Sequence, residues 1–229
     1  RYYGIGPDHG SESEEDYDVR YPRVRVNLLG KVGKNISIGG RYVFDDFNIT
    51  HFDSTGVLHE GTITGTAGGS ISGIGPAFSF DTRDNIFLPA KGVFAEASVL
   101  AFGPALGSAY TYRQLTAEAS GFIPLTRPKA GSSGYRLMRP VLALNVLAIA
   151  INGDAPFYAL GLLGGTKHMR GYYEGYFRDD LMVAGQAELR LPLFPAKTGL
   201  WQRFGVVAFA GAGTVAPRFG DLAIDDVVL

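Results

Sequence analysis

The sequence predicts an all-β fold, an antiparallel transmembrane β-barrel, from alternating side chains, strand-length segments and a high glycine content. From Leu181 to Leu191 the odd-numbered residues are apolar or small, whereas the even-numbered ones include Gln186, Glu188 and Arg190. Successive side chains of a strand point to opposite faces, so one face would meet an apolar medium and the other a polar one. The 32 glycines among 229 residues are about twice the usual share, which disfavours helices and suits turns and close packing.

Seven further segments extend this pattern along the chain. The alternation is clear in Lys91 to Phe102, Tyr110 to Ile123, Val24 to Leu28 and Ile36 to Asp45, and weaker in Ile71 to Phe80, Arg139 to Ile151 and Phe204 to Val215. These segments indicate about eight strands of roughly ten residues, the length that a tilted strand needs to cross a bilayer. Aromatic residues near the strand ends are expected to form girdles at the membrane interfaces. They are Tyr21, Tyr42, Phe44, Phe102, Tyr110, Tyr112, Tyr135 and Phe204.

A soluble β-sandwich or a lipocalin-like barrel is the alternative fold, because its apolar face would be the core. Two features favour the membrane barrel. The apolar faces are rich in alanine, glycine and valine, with few bulky side chains, and the opposite faces place Glu96, Glu118 and Glu188 in mid-strand, where a wet lumen would suit them. No apolar stretch reaches the roughly 18 residues of a spanning helix, so a helical membrane protein is disfavoured.

Composition and motif searches argue against several functional classes. A net charge of -1 disfavours nucleic acid as a partner, and the absence of cysteine excludes disulfides, thiolate zinc sites and thiol catalysis. The sequence contains no G-x-S-x-G nucleophile motif and no phosphate-binding loop. We therefore predict no enzymatic activity and no cofactor.

Metal binding is not predicted either. His51 and His59 flank one polar stretch, but they lack the spacing of a zinc-binding motif. An acidic run near the start lacks the ordered spacing and the glycine of a calcium loop. It consists of Glu12, Glu14, Glu15, Asp16 and Asp18.

Two motif blocks stand out from this background. In the first, Gly164 and Gly165 lead into the triplet Arg170-Gly171-Tyr172, and the alternating strand that follows contains Gly185 and Glu188. The second block is Phe80-Asp81-Thr82-Arg83-Asp84-Asn85, followed by a hairpin with Pro89 and Gly92. Together they resemble the signature of the BamA/TamA-type outer-membrane assembly superfamily, which includes two-partner secretion transporters and bacterial surface antigens.

The resemblance implies a role for the triplet. In that family the sixth extracellular loop folds back into the barrel lumen, and its Arg-Gly-aromatic tip docks on the inner wall. Arg170, Gly171 and Tyr172 match the tip, and Glu188 matches the acid on the wall. An arginine inside a barrel needs a counter-charge because it cannot deprotonate. One position departs from the pattern: in Phe209-Ala210-Gly211-Ala212-Gly213, Gly211 stands where the family often places an aspartate.

The resemblance also implies the domain organisation. Family barrels have sixteen strands, so this chain would cover roughly the sixth to the thirteenth. We therefore predict that residues 1–229 are a partial outer-membrane β-barrel domain with no POTRA domain.

Two functions follow from the resemblance. The first is assembly or translocation of proteins in the bacterial outer membrane, with membrane lipid and client outer-membrane proteins as partners. The alternative is a barrel anchor or pore module of a longer protein, such as a patatin-like lipase fusion. The opening Tyr3-Gly4-Ile5-Gly6, which is similar to a short-form motif of the family, fits the alternative.

Overall fold

The computed structural model describes residues 1–8, 13–52, 56–126, 139–193 and 204–229. Nine of its β-strands form one antiparallel sheet. They are β1 (Tyr17–Arg20), β2 (Arg23–Lys31), β3 (Ile36–Phe52), β4 (Gly69–Asp81), β5 (Gly92–Phe102), β6 (Tyr112–Pro124), β7 (Val141–Gly153), β10 (Leu181–Pro192) and β11 (Gly205–Ala216). A small separate hairpin consists of β8 (Gly161–Leu163) and β9 (Phe177–Asp179). No helix in these ranges has the length and hydropathy needed to cross a bilayer.

The sheet has eight strand positions, because β1 and β2 share the first one. Both pair with β3, β1 opposite residues 48–52 and β2 opposite residues 37–45. The order then continues β3-β4-β5-β6-β7-β10-β11. Pro22 interrupts the first position, since proline has no amide hydrogen to give to a ladder; its carbonyl still accepts a hydrogen bond from the Asp46 amide. The predicted all-β antiparallel fold is confirmed, and each of the eight predicted segments overlaps a strand of the sheet, although β3 extends seven residues beyond its predicted end at Asp45.

The two faces of the sheet differ in the way that the alternation predicts. The outer face exposes large apolar side chains. Their exposure is unfavourable in water and favourable in contact with lipid. They include Val26, Leu28, Ile38, Ile74, Phe78, Val93, Val99, Leu115, Leu144 and Val146. The inner face bears the charged side chains that lie in mid-strand, among them the ion pair of Arg41 with Glu96 and the pairing of Asp45 with both Arg23 and Arg25. Charged side chains are thereby kept away from the apolar medium.

The aromatic girdle was wrongly predicted for two residues. Phe102 and Tyr112 stack with ring centroids 4.2 Å apart and are buried on the inner face. They belong to a core cluster that also contains Ala155 and Leu160, from the connection that follows β7. Their places in the alternation fall on the inner face, where that connection covers them. Tyr135 lies outside the described residues.

The connections alternate between the two ends of the sheet. Residues 56–68, 103–111 and 154–180 lie at one end, and residues 32–35 and 82–91 turn at the other. The connection from β7 to β10, residues 154–180, is called the loop below, and its residues 164–176 are called the tip. The hairpin of β8 and β9 lies within the loop and flanks the tip.

Candidate functional site

The tip folds back along the inner face of the sheet. Arg170 contacts Glu188, which lies seven residues after the first residue of β10, a depth of roughly 23 Å at about 3.3 Å per residue. The tip therefore lies well inside the span of the strands and not at their ends.

Glycine residues allow the tight turn of the tip. Gly164 has a φ of 122°, and the Gly165 amide donates a hydrogen bond to the Tyr172 carbonyl over 2.9 Å. A Cβ added at Gly164 would overlap the carbonyl oxygen of Tyr173, whereas one added at Gly171 would meet nothing within 4 Å. Gly171 nevertheless has a φ of 118°. Gly164 is thus required by both backbone conformation and space, and Gly171 by conformation alone.

Arg170 lies between a carboxylate and an aromatic ring. Its Nη2 donates to Glu188 Oε1 over 2.8 Å, and its guanidinium carbon lies 4.6 Å from the centre of the Phe209 ring. Glu188 and Phe209 face each other across β10 and β11. A third contact, from Arg170 Nε to the Thr166 carbonyl over 2.9 Å, closes the turn of the tip.

The Glu188 carboxylate is saturated with donors. Oε1 accepts from Arg170 and from Gln186 Nε2, the latter over 2.8 Å, and Oε2 accepts from Arg190 Nη2 over 3.0 Å. Its side chain is only 14% exposed. Charge-assisted hydrogen bonds of this kind are the stronger ones in proteins, so the carboxylate provides a firm contact on the wall.

Apolar side chains of the loop pack against β11 at two glycines, Gly211 and Gly213. Leu163 is fully buried, and a Cβ added at Gly213 would lie 2.7 Å from its Cδ1. Met169 is also buried, with its Sδ 3.7 Å from a Cβ added at Gly211. At the position where the family often places an aspartate, this chain has Gly211, and Met169 packs over it. The contact between the loop and β11 at these two glycines is therefore apolar.

A cluster of buried side chains joins the loop to the sheet. It contains Leu163, Met169, Phe177, Met182, Ala184 and Val215. Tyr172, the aromatic residue of the triplet, packs on its edge with its ring 5.5 Å from that of Phe177. The loop is held by packing as well as by charge.

The first residues of the chain lie against the same loop. Tyr3 is buried and its ring lies 4.6 Å from that of Tyr176, while the Gly6 amide donates to the Arg178 carbonyl over 2.8 Å. Arg178 is itself buried and donates to the carbonyls of Gly175 and Arg1. Burial lowers the pKa of Arg178 from its ordinary value. The predicted opening motif is thus a structural neighbour of the β8–β9 hairpin.

The second motif block lies at the opposite end of the sheet, in the turn from β4 to β5. Arg83 Nη2 donates to Asp81 Oδ2 over 2.7 Å, and Asp84 Oδ1 accepts from the Ala90 and Lys91 amides. Gly92, with a φ of 107°, closes this turn, which also contains Pro89. The two blocks are not brought together, and the second one shapes a turn.

The metal-ligand candidates do not form a cluster. His51 lies in β3 and His59 in an exposed turn, and no three metal-ligating side chains converge among residues 1–8, 13–52, 56–126, 139–193 and 204–229. In the acidic run, Glu15 accepts hydrogen bonds from the Val57 and Leu58 amides. Its carboxylate therefore secures a loop.

Three contact residues of the tip were missed by sequence reasoning. They are Phe209, His168 and Asn145, none of which the sequence analysis predicted to contact the tip or the wall. Asn145 did give a usable signal. A polar residue at an inner-face position of an otherwise apolar strand indicates a partner inside the barrel.

Comparison with known proteins identifies the fold and the family of the chain. No curated protein sequence matches the chain. The crystal structure of BamA from Haemophilus ducreyi lacking POTRA domains 1–3 is similar, with a TM-score of 0.61 and 20% sequence identity over 88% of this chain. The match covers 42% of that BamA chain, so this chain spans less than half of its length. The sequence profile of the Omp85 superfamily domain matches residues 8–219, and the chain therefore belongs to the Omp85 superfamily.

Proposed function

We propose that this chain forms the wall of a barrel in the bacterial outer membrane that assembles or translocates other proteins. We further propose that Arg170 and Glu188 hold its loop in the lumen. The observation that supports this function most strongly is the tip on the inner face, with its 2.8 Å ion pair far along β10. Membership of the Omp85 superfamily and the BamA-like fold support the same proposal. Membrane lipid would cover the outer face, and the clients would be other outer-membrane proteins.

The chemistry of the site suits a mechanical role. Its charged groups form hydrogen bonds with one another, from Arg170 and from Arg190 to Glu188. None of these three side chains is a free nucleophile. The tip also divides the space beside the inner face into cavities of about 490 and 260 Å³, and Thr166, Lys167 and His168 line both of them. Docking or release of the tip would change the space inside the barrel. We infer that the loop regulates access to the lumen.

A client-folding assay tests this function. We expect vesicles that contain the protein to fold a small, urea-unfolded outer-membrane barrel several-fold faster than empty vesicles. The folded client is measured by its faster migration in unheated gels. Arg170→Ala should remove most of the acceleration, because the tip loses its charged contact with Glu188. Lys91→Ala, an exposed charge at the opposite end of the sheet, is the matched control and should leave the rate unchanged.

The protein's own gel migration is measured alongside, and it should be faster before boiling than after. Client folding no faster than in empty vesicles, by a protein that does show this shift, would contradict the assembly proposal. That result would favour the anchor or pore alternative.

A further inference from the structure

The tip makes a second polar contact with the wall, two residues before Arg170. His168 Nε2 lies 2.8 Å from Asn145 Oδ1 on β7. The Asn145 amide nitrogen donates to Glu118 Oε1 and to Ser120 Oγ on β6, both over 2.9 Å. Every polar atom of the Asn145 side chain is therefore engaged on the inner face.

The donors and acceptors fix the chemistry of this contact. An ionised Glu118 accepts hydrogen bonds and donates none, so the Asn145 group that faces it must be the amide nitrogen. The Asn145 oxygen then faces His168, whose Nε2 must carry a hydrogen. His168 is thus a donor to the wall, either as the neutral Nε2–H tautomer or as the imidazolium.

This contact is separate from that of Arg170. Asn145 reaches the tip from β7, whereas Glu188 and Phe209 reach it from β10 and β11. Between the two contacts Met169 turns its backbone to a φ of 61° and buries its side chain against β11. Three consecutive residues of the tip are thereby directed to three different strands, which would fix its orientation as well as its position.

We propose that His168 is a second positioning residue of the loop, which anchors the tip to β7 through Asn145 independently of Arg170. The inference deepens the proposed function and rests on it for its biological meaning, because the loop is the element that would be regulated. The contact itself can be tested whether or not the protein acts on clients.

Protonation would weaken docking of the tip, because the imidazolium is less favourable to bury than the neutral ring, although both forms can donate to Asn145. Burial lowers the pKa of His168, Lys167 lowers it further and Glu118 raises it, with a net shift below the ordinary value. Arg170, Glu188 and Arg190 line the same smaller cavity. In the undocked tip the imidazole should titrate near its ordinary pKa of about 6.5. Between the two pKa values the undocked state binds more protons, so docking is fully favoured above about pH 6.5 and weakens as the pH falls below it.

A distance measurement between spin labels tests the proposal. The chain contains no cysteine, so Thr166→Cys on the tip and Val99→Cys on the outer face of β5 can be labelled without background. The docked tip should give one narrow distance distribution, and the undocked tip a broad one. In the labelled protein, His168→Ala should raise the undocked population about fivefold at pH 8, the expected effect of losing one hydrogen bond. The rise in undocked population below pH 6.5 should also disappear.

Matched variants separate this role from general damage. His168→Gln keeps a side-chain donor and should restore docking at pH 8 while remaining insensitive to pH. Asn145→Ala should equal His168→Ala, and the double variant should be no worse than either. His59→Ala removes an exposed histidine and should change nothing. An unchanged distribution in His168→Ala, or a pH response that survives in both His168 variants, would overturn the proposal.

The outcomes also separate this proposal from the proposed function. If His168→Ala broadens the distance distribution but the protein does not accelerate client folding, the anchor is supported and the assembly role is rejected. If Arg170→Ala slows client folding but His168→Ala leaves the distance distribution unchanged, the assembly role is supported and the His168 anchor is rejected. If His168→Ala does not show the faster unheated migration of a folded barrel, Asn145→Ala and His168→Gln decide the question.

Discussion

Gly164→Ala is expected to displace the tip from the inner wall, because it makes the free energy of docking less favourable by about 3 kcal/mol. Two separate penalties contribute to this loss. A non-glycine residue at a φ of 122° is strained, and its Cβ would overlap the Tyr173 carbonyl oxygen, which belongs to the backbone and cannot rotate away. The label on Thr166 should then report a broad distance distribution to Val99.

Gly171→Ala is the matched control for this prediction. Its φ is also strongly positive, but an added Cβ meets open space, so only the conformational penalty of about 1 kcal/mol applies. The tip should remain mostly docked in this variant. Equal broadening in the two variants would contradict the argument, because it would mean that the overlap with Tyr173 is relieved without cost.

Leu163→Ala is expected to destabilise the β8–β9 hairpin by about 3 kcal/mol, in the usual range for a leucine truncated in a core. Leu163 has no exposed surface and joins Met182 and Val215 of the sheet in one cluster. Truncation would leave a cavity above Gly213, which has no side chain to fill it. Hydrogen exchange of the amides in residues 161–179 should accelerate by about a hundredfold, as follows from that free energy.

Leu162→Ala serves as the comparison for Leu163→Ala. It removes the same atoms from the neighbouring residue of β8, but Leu162 is only half-buried and lines the larger cavity. Its effect on exchange should be several-fold smaller. If Leu162→Ala and Leu163→Ala accelerate hydrogen exchange equally, packing of the hairpin on β11 does not hold the loop.

The strands were predictable from the sequence because each one obeys a local rule. The alternation that places Glu188 on the inner face is visible within β10 alone. β8 and β9 have three residues each, too few to show a period, and they pair only because the loop folds back. The same limit applies to β1, which pairs with the far end of β3 beyond Pro22.

The candidate site was predictable only where a motif named it. Arg170 and Glu188 were paired by family resemblance together with alternation, and the structure places them in contact. The partners of Met169 and His168 depend on the depth at which the tip lies along β7 and β11, a tertiary property with no local signature. Gly211 illustrates the difference: the sequence showed that an aspartate is missing, and the structure shows that Met169 packs over that position.

A double-mutant cycle on Arg170 and Glu188, measured as the docked population in the Thr166 and Val99 labelled protein, tests the central claim most directly. Each alanine variant alone should raise the undocked population about tenfold, and the double variant should be no worse than either, a coupling of about 1–2 kcal/mol. Arg190→Ala removes a Glu188 partner that belongs to β10 itself, so it should affect docking far less. Additive effects of the Arg170 and Glu188 substitutions, or a broad distribution in the unsubstituted protein, would contradict a loop held in the lumen by this pair.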